Sequence, residues 1–202
     1  MITVAVEGDT DVPFVVRLCE ASGFAVRTPL VTARGKHSLA PYIAGFARAA
    51  PGSPHLVVRD LDDDAPCAAA WIEANAPPSQ GTYFALRLAV RAVEAWFLAD
   101  RVVAAAALHV DEQRIPRRPD DEADPKLTIV NLARGSSKPS VRDAIVPVIG
   151  MSRKAGPGYG TWLLGASSRW SVERALPNSE SLARAHRRLT AIHDAWRLAT
   201  DA

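Results

Sequence analysis

Cysteine is almost absent from this chain: its 202 residues contain two, Cys19 and Cys67. Two isolated thiols build neither a disulfide framework nor a zinc site, which excludes stapled secreted domains and zinc modules and suits a reducing cytosol. Lysine is also scarce, with 4 residues, while Ala and Arg are heavily used, as expected of a GC-rich bacterial genome. No apolar run approaches the roughly 20 residues of a membrane span. The nearest candidate, Val102 to Leu108, is short and alanine-heavy. The N-terminus enters an apolar stretch directly, with no basic segment ahead of a long apolar core, so no secretory leader and no membrane partner are expected. Repeats and low-complexity tracts are missing as well.

What remains is an ordinary globular composition, 48% hydrophobic and 23% charged. That is enough for one sizeable core, or for one core with a helical appendage. The net charge of +2 conceals a division: residues 1–101 carry 9 Lys/Arg and 11 Asp/Glu, whereas residues 102–202 carry 15 and 11. A polyanion held by the second half and cut at the first is one reading; ordinary surface composition is the other.

The acids of the first half are not scattered. Val4-Ala5-Val6 ends at Glu7, followed by Gly8-Asp9-Thr10-Asp11, and Leu56-Val57-Val58-Arg59 ends at Asp60-Leu61-Asp62-Asp63-Asp64. Each apolar run reads as a buried strand that stops at a carboxylate and gives way to a helical pattern. Two such βα units place Glu7, Asp60 and Asp62 at the carboxyl ends of parallel strands, where α/β sheets keep their chemistry. If the strand continues, Asp60 and Asp62 project to one side and Leu61 to the other. Converging carboxylates repel one another unless a cation joins them. Hard oxygen ligands suit Mg²⁺ or Mn²⁺, usually shared with phosphate and water, so phosphoryl chemistry is expected.

The rest of the chain supplies further candidates. Asp9 and Asp11 are assigned to the start of a helix over Asp11 to Ser22. A strand is expected over Phe24 to Val31, and the loop after it brings Arg34, Lys36 and His37 as substrate-binding candidates. Asp63 and Asp64 read mainly as caps of a helix reaching Asn75, with Asp64 as a spare metal ligand. Turns follow over Pro77 to Gly81 and Gly150 to Gly160. Glu94 shares a helical stripe with Val90, Phe97 and Leu98 and is read as part of the acidic centre, against the alternative of an ion pair with Arg91. Residues 109–124, polar and broken by Pro116 and Pro119, suggest a flexible connector or lid. Asp124 caps the next helix and puts Lys126 in its first turn, where a cation is disfavoured. That gives Lys126 a candidate role on a phosphate, set against a solvated side chain. Helices over Ser140 to Ile149 and Ser179 to Ala199 complete the chain.

A strand ending in Glu7-Gly8 before a helix, with Asp60-Leu61-Asp62 at the end of a later strand, resembles the Toprim domain of topoisomerases, primases and overcoming-lysogenization-defect nucleases. Arg91-Ala92-Val93-Glu94-Ala95-Trp96-Phe97-Leu98-Ala99-Asp100, Asp124-Pro125-Lys126 and Ser179-Glu180-Ser181-Leu182 extend the resemblance to a family of small Toprim-like proteins. It implies an α/β, Rossmann-like, mainly parallel sheet flanked by helices over residues 1–100, with a helical extension over residues 101–202 packed on it. It further implies a cytoplasmic, Mg²⁺- or Mn²⁺-dependent nuclease acting on DNA or RNA in anti-phage defence and gated by an ABC- or AAA-type ATPase. Glu7, Asp60, Asp62, Asp64 and Glu94 would be its metal site. A homo-oligomer stays open. Two other readings compete: a catalytically silent docking subunit, and a phosphatase of the haloacid-dehalogenase type, which would leave Glu7 without a role.

Overall fold

The computed structural model describes residues 1–78, 80–148, 150 and 152–201. Ser79 in the first expected turn, Ile149 at an expected helix end and Met151 in the second turn lie outside them.

The N-terminal half alternates strand and helix: β1 Thr3–Val6, α1 Val12–Ala21, β2 Val31–Thr32, α2 Lys36–Ala49, β3 His55–Asp60, α3 Ala68–Asn75 and β4 Phe84–Ala89. The strands form one parallel sheet in the order β2-β1-β3-β4. From β1 the chain moves outward to β2 and then returns across β1 to β3. The gap between β1 and β3 is thus the topological switch point, where α/β sheets open a crevice at their carboxyl edge. β3, buried without interruption from His55 to Arg59, has the continuous burial expected of a strand in a sheet covered on both faces.

The strand expected over Phe24 to Val31 shrinks to Val31–Thr32 plus an isolated bridge between Ile2 and Val26. Pro29 cannot donate to a ladder, so the pairing breaks there. The helix expected to be capped by Asp63 and Asp64 begins only at Ala68, leaving both acids outside it.

The second half is helical: α4 Val93–Ala99, α5 Arg101–Leu108, α6 Pro125–Arg134, α7 Pro139–Ile145, α8 Tyr159–Ser167, α9 Val172–Ala175 and α10 Glu180–Thr200. All seven residues of α4 are buried. A helix that is apolar nearly all round belongs at the centre of a core, and α4 is that centre. Phe97 and Phe14 meet edge to face, as do Phe14 and Trp170. Trp170 donates to the Trp96 carbonyl at 2.8 Å, and Trp96 donates to Ser181 Oγ at 2.8 Å. One apolar cluster therefore runs from Ile2 to Ile192 on the α1 side of the sheet. A second, smaller one lies under α2 and α3, with Leu39, Ile43, Val57 and Leu86.

The expected flexible connector is tied down instead. A 3-10 turn at Pro119–Asp121 places the Asp120 carboxylate against Ser179 Oγ and the Ser181 N–H, both at 2.8 Å. The glycine turn packs as closely, because a Cβ at Gly156 or Gly158 would collide with Ala144.

Candidate metal centre

Glu7 leaves the end of β1 and Asp60 ends β3, so the switch point brings the two together. Burial pushes the Glu7 carboxyl up, helped by the charge of Asp62 and offset in part by Arg59. Its Oε2 is buried and has no hydrogen-bond partner among the described residues. Asp60 receives the Val93 N–H at 3.0 Å, which locks the start of α4 onto the strand end. Its pKa is driven well above the ordinary carboxylate range, by burial first and then by Asp11, Glu94 and Glu7.

Asp11 is the residue that sequence reasoning misplaced. It stands where a helix cap would, yet its side chain caps nothing in α1. Instead it turns back to accept the Gly8 N–H at 2.8 Å and is only 7% exposed. Burial, then Glu94 and Glu7, raise its pKa to about 7. Asp9, also expected at the helix start, lies exposed in the turn ahead of α1.

Glu94 reaches the same group from α4 and is 9% exposed. Its partner is Tyr159 at the start of α8, whose hydroxyl donates to Oε1 at 3.1 Å. Burial and the Glu94 charge raise the phenol pKa, so Tyr159 is a fixed donor. The alternative ion pair with Arg91 does not form, because Arg91 donates to the Asp62 carbonyl at 2.8 Å and lies 3.7 Å from Asp63.

Asp62 departs from the expected strand geometry. β3 stops at Asp60, and Asp62 adopts a left-handed backbone with φ of 48°. Its carboxylate is about half exposed and lies 3.6 Å from Lys36 Nζ. It still lines a cavity of about 240 Å³ together with Asp60, Glu94, Lys126 and Lys154. Asp64 is drawn out of the centre: its oxygens are taken by Lys36, at 2.7 Å, and by Arg59, and these cations lower its pKa. Leu61 is buried among the α2 and α3 residues, on the opposite face as expected.

Of the three candidates expected on the loop, Lys36 and His37 instead open α2; Lys36 touches the acids, whereas Arg34 and His37 are exposed. Lys126 sits 4.8 Å above the Tyr159 ring, and Asp124 caps α6 through the Leu127 N–H at 2.9 Å. Lys154, unremarked in the sequence, pairs with Asp124 at 3.1 Å. Tyr159 and Lys154 lie far along the chain from the acidic motifs, and no spacing connects them.

Among the described residues, no three His, Cys, Asp or Glu side chains form a ready ligand set. The donors nonetheless suit a hard cation that takes one or two carboxylates and completes its shell with water and phosphate. An orphaned buried carboxylate oxygen and carboxyls that resist ionisation are what such a cation would relieve. No family model, curated protein or solved structure matches the chain.

Proposed function

We propose that the chain is a Toprim-like nuclease that uses Mg²⁺ or Mn²⁺ to hydrolyse phosphodiester bonds in DNA or RNA. The observation that carries this reading is the gathering of buried Asp11 and Glu94 with half-buried Glu7 and Asp60 at the switch point of a parallel sheet. Asp60 and Glu94, which line the cavity, would hold the ion, with Asp62 at the rim. A divalent cation bound there would supply Lewis acidity for the scissile phosphate, the attacking water and the leaving oxygen.

The chain's own residues do the rest. Lys126 and Lys154, on the wall of the acidic cavity, attract and orient the phosphate chain. Glu7, with its raised pKa, is suited to passing a proton to or from the reacting oxygens. Tyr159 fixes the Glu94 carboxylate, and Lys36 holds Asp62. An ATPase partner of the ABC or AAA type and a role in anti-phage defence in the cytoplasm belong to the same proposal, on the strength of the sequence resemblance.

The test is cleavage of plasmid, single-stranded DNA and tRNA with Mg²⁺ or Mn²⁺, with and without the candidate ATPase. Glu7→Ala and Asp60→Ala are compared with the wild type. Metal-dependent cutting lost in both variants is the expected result. Folded protein that cuts nothing in any combination would overturn the nuclease and favour the docking subunit.

A further inference from the structure

A cleft of about 870 Å³ lies along the outer side of β4, between α3 and the first turns of α10. Its size falls in the roughly 300–1,000 Å³ range of small-molecule sites. One wall is apolar, formed by Ala68, Ile72, Leu88 and Val90. The floor is not, because Arg87 rises from β4 into it.

Arg87 is the anomaly of this region. Its Nε is buried and has no acceptor among the described residues. Burial and the like charge of Arg188 lower its pKa to about 10, with no carboxylate to offset them. Three of the four acids that line the cleft are engaged elsewhere. Asp120 holds Ser179 and Ser181, Glu180 pairs with Arg184 and Arg187, and Asp121 pairs with Arg118. Glu73 is exposed on α3. A guanidinium half-buried without an anion is costly unless a ligand supplies one.

We propose that this cleft is a second ligand site, separate from the carboxylate centre, for a small molecule joining a phosphate or carboxylate to an apolar or aromatic body. Arg87 anchors the anion with its planar fork, and Arg184, at the rim, adds a second donor. The apolar wall covers the body of the ligand. The site adjoins the acidic cavity through Arg91 and Ala123, which line both.

Titration calorimetry without divalent ions tests the proposal. Adenosine 5′-monophosphate is compared with adenosine, and indole-3-acetate with indole-3-acetamide, so the two arms separate phosphate from carboxylate ligands. In the wild type, at least one anion should bind about ten-fold or more tighter than its uncharged twin. Arg87→Gln should erase that difference and Arg87→Lys should keep part of it. Asp60→Asn, at the other site, should leave it intact. Arg184→Gln, an exposed change that does not threaten folding, should weaken the anion and not the twin. The proposal is overturned if neither anion binds below about 5 mM, or if the preference for the anion survives both glutamine substitutions.

Discussion

At the scale of single residues, the acidic centre is held in tension by its own burial. Asp11 has a folded-state pKa of about 7, against about 3.9 in an unfolded chain. The folded protein therefore keeps a proton that the unfolded chain has lost, and stability falls as pH rises through that window. This contribution of Asp11 is full below about pH 4, and its loss reaches on the order of 4 kcal/mol above pH 7. Urea unfolding in a chelator should show a metal-free protein more stable at pH 5 than at pH 8. Asp11→Asn should flatten that slope and raise stability at pH 8. Tyr159→Phe should cost about 1.5–3 kcal/mol by stranding the Glu94 carboxylate, as read by the same measurement, while leaving the fold intact. Glu7 and Asp60 were legible in the sequence because each ends an apolar run. Asp11 was hidden because an acid two residues ahead of Pro13 looks like a helix cap. Tyr159 was hidden because only tertiary packing brings it to Glu94.

At the scale of elements, periodicity located most helices and strands and failed where backbone chemistry or tertiary contacts took over. Pro29 cut β2 short, and the left-handed turn at Asp62 ended β3 before the second acid could continue it. The polar stretch before α6 looked mobile because its opposite charges cancel at a distance, yet Asp120 clamps it to the start of α10. α4 depends on the same region, since Trp96 donates to Ser181 Oγ inside the core. Ser181→Ala removes that acceptor and should cost about 1–3 kcal/mol, seen as a lower urea midpoint with an unchanged slope.

At the scale of the whole molecule, the α/β half and the helical half share a hydrophobic cluster that passes through α4. The junction is buried too: Asp100 is fully enclosed, caps α5 through Val103 and accepts two hydrogen bonds from Arg174. A fragment ending at residue 100 would strip the cover from Trp96, Phe97 and Leu98. It should lack cooperative unfolding and bind a hydrophobic dye, as loosely packed states do. A fragment with a sharp, dye-free transition would show that the sheet half stands alone. The sequence division at residue 100 thus marks a change of composition inside one shared core. If the carboxyl cluster is a divalent-cation site, as proposed, one measurement reads it directly. Mn²⁺ is titrated calorimetrically near pH 6.5 in two buffers of different ionisation enthalpy, with wild type and Asp60→Asn. Saturable binding with proton release is expected, because binding forces reluctant carboxyls to ionise, and Asp60→Asn should weaken it by about ten-fold or more. Absence of saturable binding, or an Asp60→Asn protein that binds Mn²⁺ and releases protons like the wild type, would contradict the account.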